Sequence, residues 1–189
     1  LCEPGGLCRL SHLHFCNHSG THIDYPSHLK RSPQETDVLD SKECTLQPAP
    51  VETGVCQIVE IPHDGDVLAE DIKTADLSSD TTILFFKTKN SRLDLHSKPF
   101  TSDYVCLSHE AATAILNTQI KIVGIDYFSV DSASSHDLPN HKTLLHAKSP
   151  VLIVENLDLR KADAGKYSVV IAPLALVNPN GSPARVFAI

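Results

Sequence analysis

The chain has 189 residues, 41% of them hydrophobic and 21% charged, a single-domain length with enough apolar content for a buried core. Its formal net charge of −7 argues against nucleic acid as a partner, because backbone binding needs clustered Lys and Arg. The longest apolar run, Val169 to Val177, is broken by Pro173 and is far short of the roughly 20 residues of a membrane span, so no membrane partner is expected.

The amino terminus lacks the basic start and apolar stretch of a signal peptide, and a cytoplasmic location is expected. The chain opens on Leu1 and contains no Met, so native sequence ahead of it is expected too. Cys2, Cys8, Cys16, Cys44, Cys56 and Cys106 form no Cys-x-x-Cys pair, which reads as reduced thiols, with a disulfide among the first three left open. His12 and His14 alternate with Leu13 and Phe15 and read as one face of a strand, structural or substrate-facing. Residues 29 to 54, with Pro33, Pro48 and Pro50, read as a surface loop with one short helix. Five short β-branched runs then read as buried strands: Val55 to Ile61, Thr82 to Lys87, Ile120 to Ile125, Val151 to Glu155 and Tyr167 to Ala172. Between them, Asp66 to Leu77, the run capped by Ser108 through Leu116, and His141 to Ala147 read as short helices. Strands alternating with helices predict one α/β (α+β) domain over 1–189, a mixed sheet with flanking helices.

The chemistry concentrates in His18-Ser19-Gly20-Thr21-His22-Ile23-Asp24-Tyr25-Pro26-Ser27-His28, within a chain that holds 11 histidines. Three imidazoles and a carboxylate in eleven residues suit zinc, manganese or iron and leave coordination positions open. Gly20 permits unusual backbone angles and Pro26 removes a donor, so the segment reads as a strand or loop curling its side chains around one point. Ser19 and Thr21 sit in no serine-hydrolase elbow, and Cys16 is a nucleophile only with a depressed pKa. Asp126 and Asp131 read either as partners that orient ligand imidazoles or as acceptors of backbone hydrogen bonds. His63, His96 and His109 read as solvated.

The string His-x-Gly-Thr-His-x-Asp-x-Pro-x-His resembles the signature of the metal-dependent cyclase family, which includes bacterial kynurenine formamidases and isatin hydrolases. Gly124-Ile125-Asp126 with Ser129-Val130-Asp131, Leu107 to Ala112, and His141-x-x-Leu144-Leu145 with Val154-Glu155-Asn156-Leu157 extend the resemblance over nearly the whole chain. It implies a swivelling β/β/α domain, a homodimer or homotetramer, and a site of two divalent ions, Zn2+ first and Mn2+ as the alternative. His18, His22 and Asp24 would bind one ion, His141 the second, Asp24 and Glu155 would reach both, and His28 would move protons. The implied reaction is hydrolysis of an amide C–N bond by metal-activated water, in an aryl formamide such as N-formylkynurenine, hence tryptophan catabolism, or a cyclic amide such as isatin. A lyase or cyclase on the same site, or a non-catalytic metal-binding member, are the alternatives.

Three departures stand out. His141 and Glu155 lie fourteen positions apart, about a helix turn more than usual in the family, which an insertion near Lys148-Ser149-Pro150 would explain, with His146 or His136 as fallback ligands. Only 17 residues precede His18, where family members carry a longer lead holding first strands and part of the pocket. Tyr25 stands where small residues are common.

Overall fold

The structure is a computed structural model that describes residues 11, 13–29, 48–177 and 179–189. Among the described residues seven strands make the sheet: β1 (His22–Asp24), β2 (Glu52–Glu60), β3 (Thr81–Lys87), β4 (Ile122–Ile125), β5 (Leu152–Glu155), β6 (Gly165–Pro173) and β7 (Gly181–Ala188). They run in the order β1-β5-β4-β3-β2-β6-β7, and β7 pairs back onto β1 to close a barrel. β2 to β5 are mutually parallel, and β1, β6 and β7 add antiparallel pairs. The expected mixed sheet with flanking helices is present; its closure is a feature that the sequence reading lacked.

Strand alternation sorts the core into two layers. Ile58, Ile83, Phe85, Ile122 and Val154 pack with Ile23, Val169 and Ile171, the side chains that fill the barrel. Their neighbours Leu84, Phe86, Val123, Ile125 and Ile153 point the other way and pack with Ile72, Ala111, Ala112, Ile115, Leu144 and Leu145 of the helices. The barrel is tight: a methyl group on Gly124 would come within 2.6 Å of Leu157 Cδ1 and Phe85 Cδ1.

The helices are α1 (Ala69–Thr74), α2 (Lys89–Arg92), α3 (His109–Ile115) and α4 (Pro139–Leu145). Ser108 caps α3 as expected, its hydroxyl accepting the Ala111 N–H at 3.1 Å. The third expected helix starts two residues early, because Pro139 fixes φ for a first turn and bars Leu138 from the α region; Leu138 sits at φ 47. Residues 13–16 form no strand, so His14 lies on an exposed irregular segment. His12, Cys2, Cys8, Cys44 and the helix expected between 29 and 54 fall outside the described residues, apart from the loop's ends. Among the described cysteines Cys16, Cys56 and Cys106 are free thiols, and no described helix is long and apolar enough to cross a membrane.

Candidate metal centre

Strand β1 is three residues long, and its pleat decides the site. Ile23 turns into the barrel core, so His22 and Asp24 turn outward together. Across the β1–β5 ladder His22 stands opposite Glu155, within side-chain reach of a directly opposed pair. Gly20, at φ +65, bends the chain ahead of β1 in a conformation that other residues disfavour. His18 then folds back over Asp24, and the short 3-10 turn Pro26–His28 returns His28 beside it, the two rings 4.1 Å apart between centroids. His141, on the first turn of α4, comes from the helix layer, its ring centroid 5.6 Å from that of His28.

All the expected residues therefore meet. His18 Nδ1 is 2.8 Å and His22 Nε2 is 3.3 Å from Asp24 Oδ1. His141 Nε2 is 3.4 Å from Asp24 Oδ2 and 3.3 Å from Glu155 Oε1. His22 Nε2 is 3.6 Å from Glu155 Oε2. Asp24 is wholly buried, yet among the described residues none gives either carboxylate oxygen a directed hydrogen bond. A buried carboxylate left so is costly unless a cation completes it. Four ligands about 2.0–2.1 Å from a tetrahedral zinc stand about 3.3 Å from one another, the spacing found here. The donor set and the orphaned carboxylate thus fit a divalent ion, with Asp24 offering one oxygen to His18 and His22 and the other to His141.

The groups behind the ligands are as specific. His22 Nδ1 lies 2.8 Å from the Gly20 carbonyl, so it donates there and leaves Nε2 as the inward lone pair. Asp131, buried, accepts from Nδ1 of His141 at 2.7 Å and from the backbone N–H groups of Asn140 and His141 at 2.9 and 3.1 Å. One carboxylate thereby holds the start of α4 and orients the His141 imidazole. Tyr104 donates its hydroxyl to the Asp131 carbonyl at 2.8 Å, and the Val130 N–H donates to Glu155 Oε1 at 2.8 Å. Asp126 takes the other reading: it accepts from the backbone of Thr88 and Ser91 and from the Thr88 hydroxyl, holding α2.

Electrostatics tune the cluster for positive charge. Burial opposes ionisation of Asp24, but His141, His18 and His22 hold its carboxyl well below the usual range. Burial likewise disfavours charged His141, but Asp131, Asp24 and Glu155 push it well above the ordinary imidazole value. His22 rises too, burial being outweighed by Asp24, the Gly20 carbonyl and Glu155. His28 differs. Burial pushes it down to about 4, Asp24 opposing and His18, His141 and His22 adding to the fall. Its imidazole is neutral at physiological pH and lies close enough to Asp24 and His18 to share a cation with them.

Several assignments need correction or choice. His146 lies 3.1 Å from the Leu29 carbonyl and His136 is exposed, so His141 alone of the three reaches the centre; exposed Lys148, Ser149 and Pro150 take up the extra spacing. His96 is not solvated, since its Nε2 lies 3.1 and 3.0 Å from the carbonyls of Asp126 and Leu157. His63 pairs with Asp71 at 3.1 Å, while His109 is exposed as expected. Thr21 donates its hydroxyl to the Asn156 carbonyl at 2.6 Å, a structural bond. Tyr25 is half-buried, and burial with the nearby Glu52 carries its phenol up to about 12. Asn180 and Gly181, which touch His18, escaped sequence reading because only β7 pairing brings them there.

The chain is similar to several known proteins. A family model described as Putative cyclase matches residues 3–132. The chain is 34% identical over 185 residues to Cyclase-like protein 2 of Arabidopsis thaliana, covering 97% of this chain and 66% of the plant protein. The chain therefore spans just under two thirds of that relative's length. A protein named kynurenine formamidase from Salinibacter ruber is 29% identical over 184 residues, covering 97% of this chain and 81% of the other. A solved structure described as a predicted metal-dependent hydrolase from Bacillus stearothermophilus superimposes with a TM-score of 0.74 at 31% identity, over all of this chain and 84% of that one. With the signature residues gathered around one buried carboxylate and the family model matching well over half its length, the chain belongs to the cyclase family.

Proposed function

We propose that the chain is a metal-dependent hydrolase that cleaves an amide C–N bond, with an aryl formamide such as N-formylkynurenine as the first substrate and a cyclic amide such as isatin as the second. The observation that carries the reading is Asp24, buried and without a directed hydrogen bond from the described residues, its two oxygens facing different imidazoles. His18, His22 and Asp24 would hold one divalent ion, and His141, Asp24 and Glu155 a second, zinc before manganese. Bound there, the ions would supply Lewis acidity, polarising a carbonyl and acidifying water. Neutral His28 accepts a proton from the attacking water and returns it to the departing nitrogen. The bond between carbonyl carbon and nitrogen breaks, and the products are a carboxylic acid and an amine. Asp131 and the Val130 N–H keep His141 and Glu155 from swinging away from the reacting carbonyl. The swivelling β/β/α arrangement and a homodimeric or homotetrameric assembly belong to the same proposal, the second checked by sedimentation.

The test is elemental analysis of wild type and His22→Ala purified without chelating resins, with N-formylkynurenine turnover in solvent enriched in heavy oxygen. About one to two equivalents of zinc or manganese, lost together with turnover in His22→Ala, and solvent oxygen in the released formate support the reading. Turnover without solvent oxygen points to lyase or cyclase chemistry. Failure to take up any divalent ion on reconstitution removes the metal centre.

A further inference from the structure

The turn Pro179-Asn180-Gly181 grips the ligand segment at both ends. The Asn180 carbonyl accepts the Tyr25 N–H at 3.1 Å, the Pro179 carbonyl accepts the Ser27 hydroxyl at 3.1 Å, and Gly181 stands opposite Asp24 in the β1–β7 ladder. At the other end the Asn17 side-chain amide donates to the Gly181 carbonyl at 3.0 Å and to Asn180 Oδ1. That second bond fixes which way the Asn180 carboxamide faces. Its oxygen, not its nitrogen, is presented to Nε2 of His18, 3.1 Å away. An imidazole that donates from Nε2 keeps its lone pair on Nδ1, and Nδ1 is the His18 nitrogen beside Asp24 Oδ1. A methyl group on Gly181 would overlap the His18 ring, so glycine leaves the space that the ring occupies.

We propose that Asn180 is a positioning residue of the metal centre: its side-chain oxygen holds His18 in the Nε2–H tautomer and so offers Nδ1 to a cation shared with Asp24. The inference rests on the metal-centre reading above. His22 is set the opposite way, with Nδ1 donating to the Gly20 carbonyl and Nε2 facing inward. Two histidines on one short segment thus present opposite nitrogens, each chosen by a single oxygen acceptor. An apolar side chain at position 180 removes the acceptor and leaves the tautomer of His18 undecided.

Zinc-loaded protein labelled with 15N-histidine reports the tautomer in long-range proton–nitrogen spectra, and competition with a chromophoric chelator gives zinc affinity. Wild type, Asn180→Ala, Asn180→Asp, His18→Ala and the His18→Ala/Asn180→Ala double variant are compared, each with a metal-free melting curve. Wild type should show His18 protonated at Nε2 and metal-shifted at Nδ1. Asn180→Ala should lose about 10- to 100-fold in affinity, Asn180→Asp should recover it, and Asn180→Ala should add nothing once His18 is gone. Asn180→Ser, too short to reach Nε2, replaces Asn180→Ala if that variant does not fold. An unchanged tautomer and affinity in a zinc-binding Asn180→Ala protein overturn the role of Asn180 and leave the metal centre standing. An equal loss in the His18→Ala background also overturns it, because Asn180 would then act on the fold alone. Wild type that takes up no zinc overturns the metal centre and this inference together.

Discussion

Replacing Asp131 by Asn removes one charge and turns one accepting oxygen into an N–H donor, so its effect can be worked from contacts. The carboxylate receives the Asn140 N–H at 2.9 Å, the His141 N–H at 3.1 Å and His141 Nδ1–H at 2.7 Å. Asn offers one accepting oxygen where Asp131 uses two, so it can keep either the Asn140 bond or the His141 bonds at the start of α4 but not both. The charge-assisted bond to the ligand imidazole is lost, a bond roughly twice as strong as a neutral one. Removing such a partner typically costs about 10- to 100-fold in metal affinity, or about 1.4 to 2.8 kcal/mol at 1.4 kcal/mol per factor of ten. Chelator competition with zinc should show that loss for Asp131→Asn. The metal-free melting temperature should fall further in Asp131→Ala, which strands two buried N–H groups as well. Zinc binding as tight as wild type in Asp131→Asn would refute the idea that this carboxylate acts on the centre through His141.

His28→Ala should keep its metal and lose turnover by about 100- to 10,000-fold, the usual range for a proton-transfer group; lost metal instead would make His28 a ligand. Gly124→Ala should destabilise the protein by about 1–3 kcal/mol, read by urea unfolding, because the added methyl meets Phe85 and Leu157 in a filled barrel. Burial pushes the Cys56 and Cys106 thiols up to about 12. Peptide mapping after alkylation at neutral pH should therefore find Cys16 modified in folded protein and the other two only after unfolding. Metal-free stability should peak at about pH 6.5, because His28, depressed from 6.5 to about 4, loses stability as pH falls below 6.5. Asp24 and Asp131, depressed from 3.8, contribute stability above that value and lose it as pH falls. His22 and His141, raised from 6.5, contribute fully below that value and lose it as pH rises through their folded values. Zinc should reverse the alkaline loss, since its ligands bind deprotonated; melting curves that keep rising to pH 9 without metal would contradict these signs.

The candidate cluster was readable because His18, His22, Asp24 and His28 share one short segment whose Gly20 and Pro26 exclude a helix. Strands β3 and β4 were readable as β-branched runs buried on both faces. What surrounds the ligands was not. Asp131 could be named but not decided, because its partner His141 comes from a helix whose start depends on Pro139 and the strained Leu138. Strand β7 carries Pro183 and Arg185 and escaped the apolar pattern, and with it went Asn180, Gly181 and the closure of the barrel. His96 looked like a surface residue because its carbonyl acceptors, Asp126 and Leu157, come from chain segments distant in sequence.

Strand β1 is both the seam that closes the barrel and the carrier of His22 and Asp24, while its partners β5 and β7 come from the last part of the chain. Contacts between such distant segments form late, after loop-closure entropy has been overcome. On a ribosome, where synthesis proceeds from the amino terminus, the His18–His28 segment emerges before His141, Glu155 and Asn180. The nascent chain therefore holds part of the cluster before the rest of it exists. On the metal-centre reading proposed above, competence for metal arrives only once β5 and β7 have docked on β1.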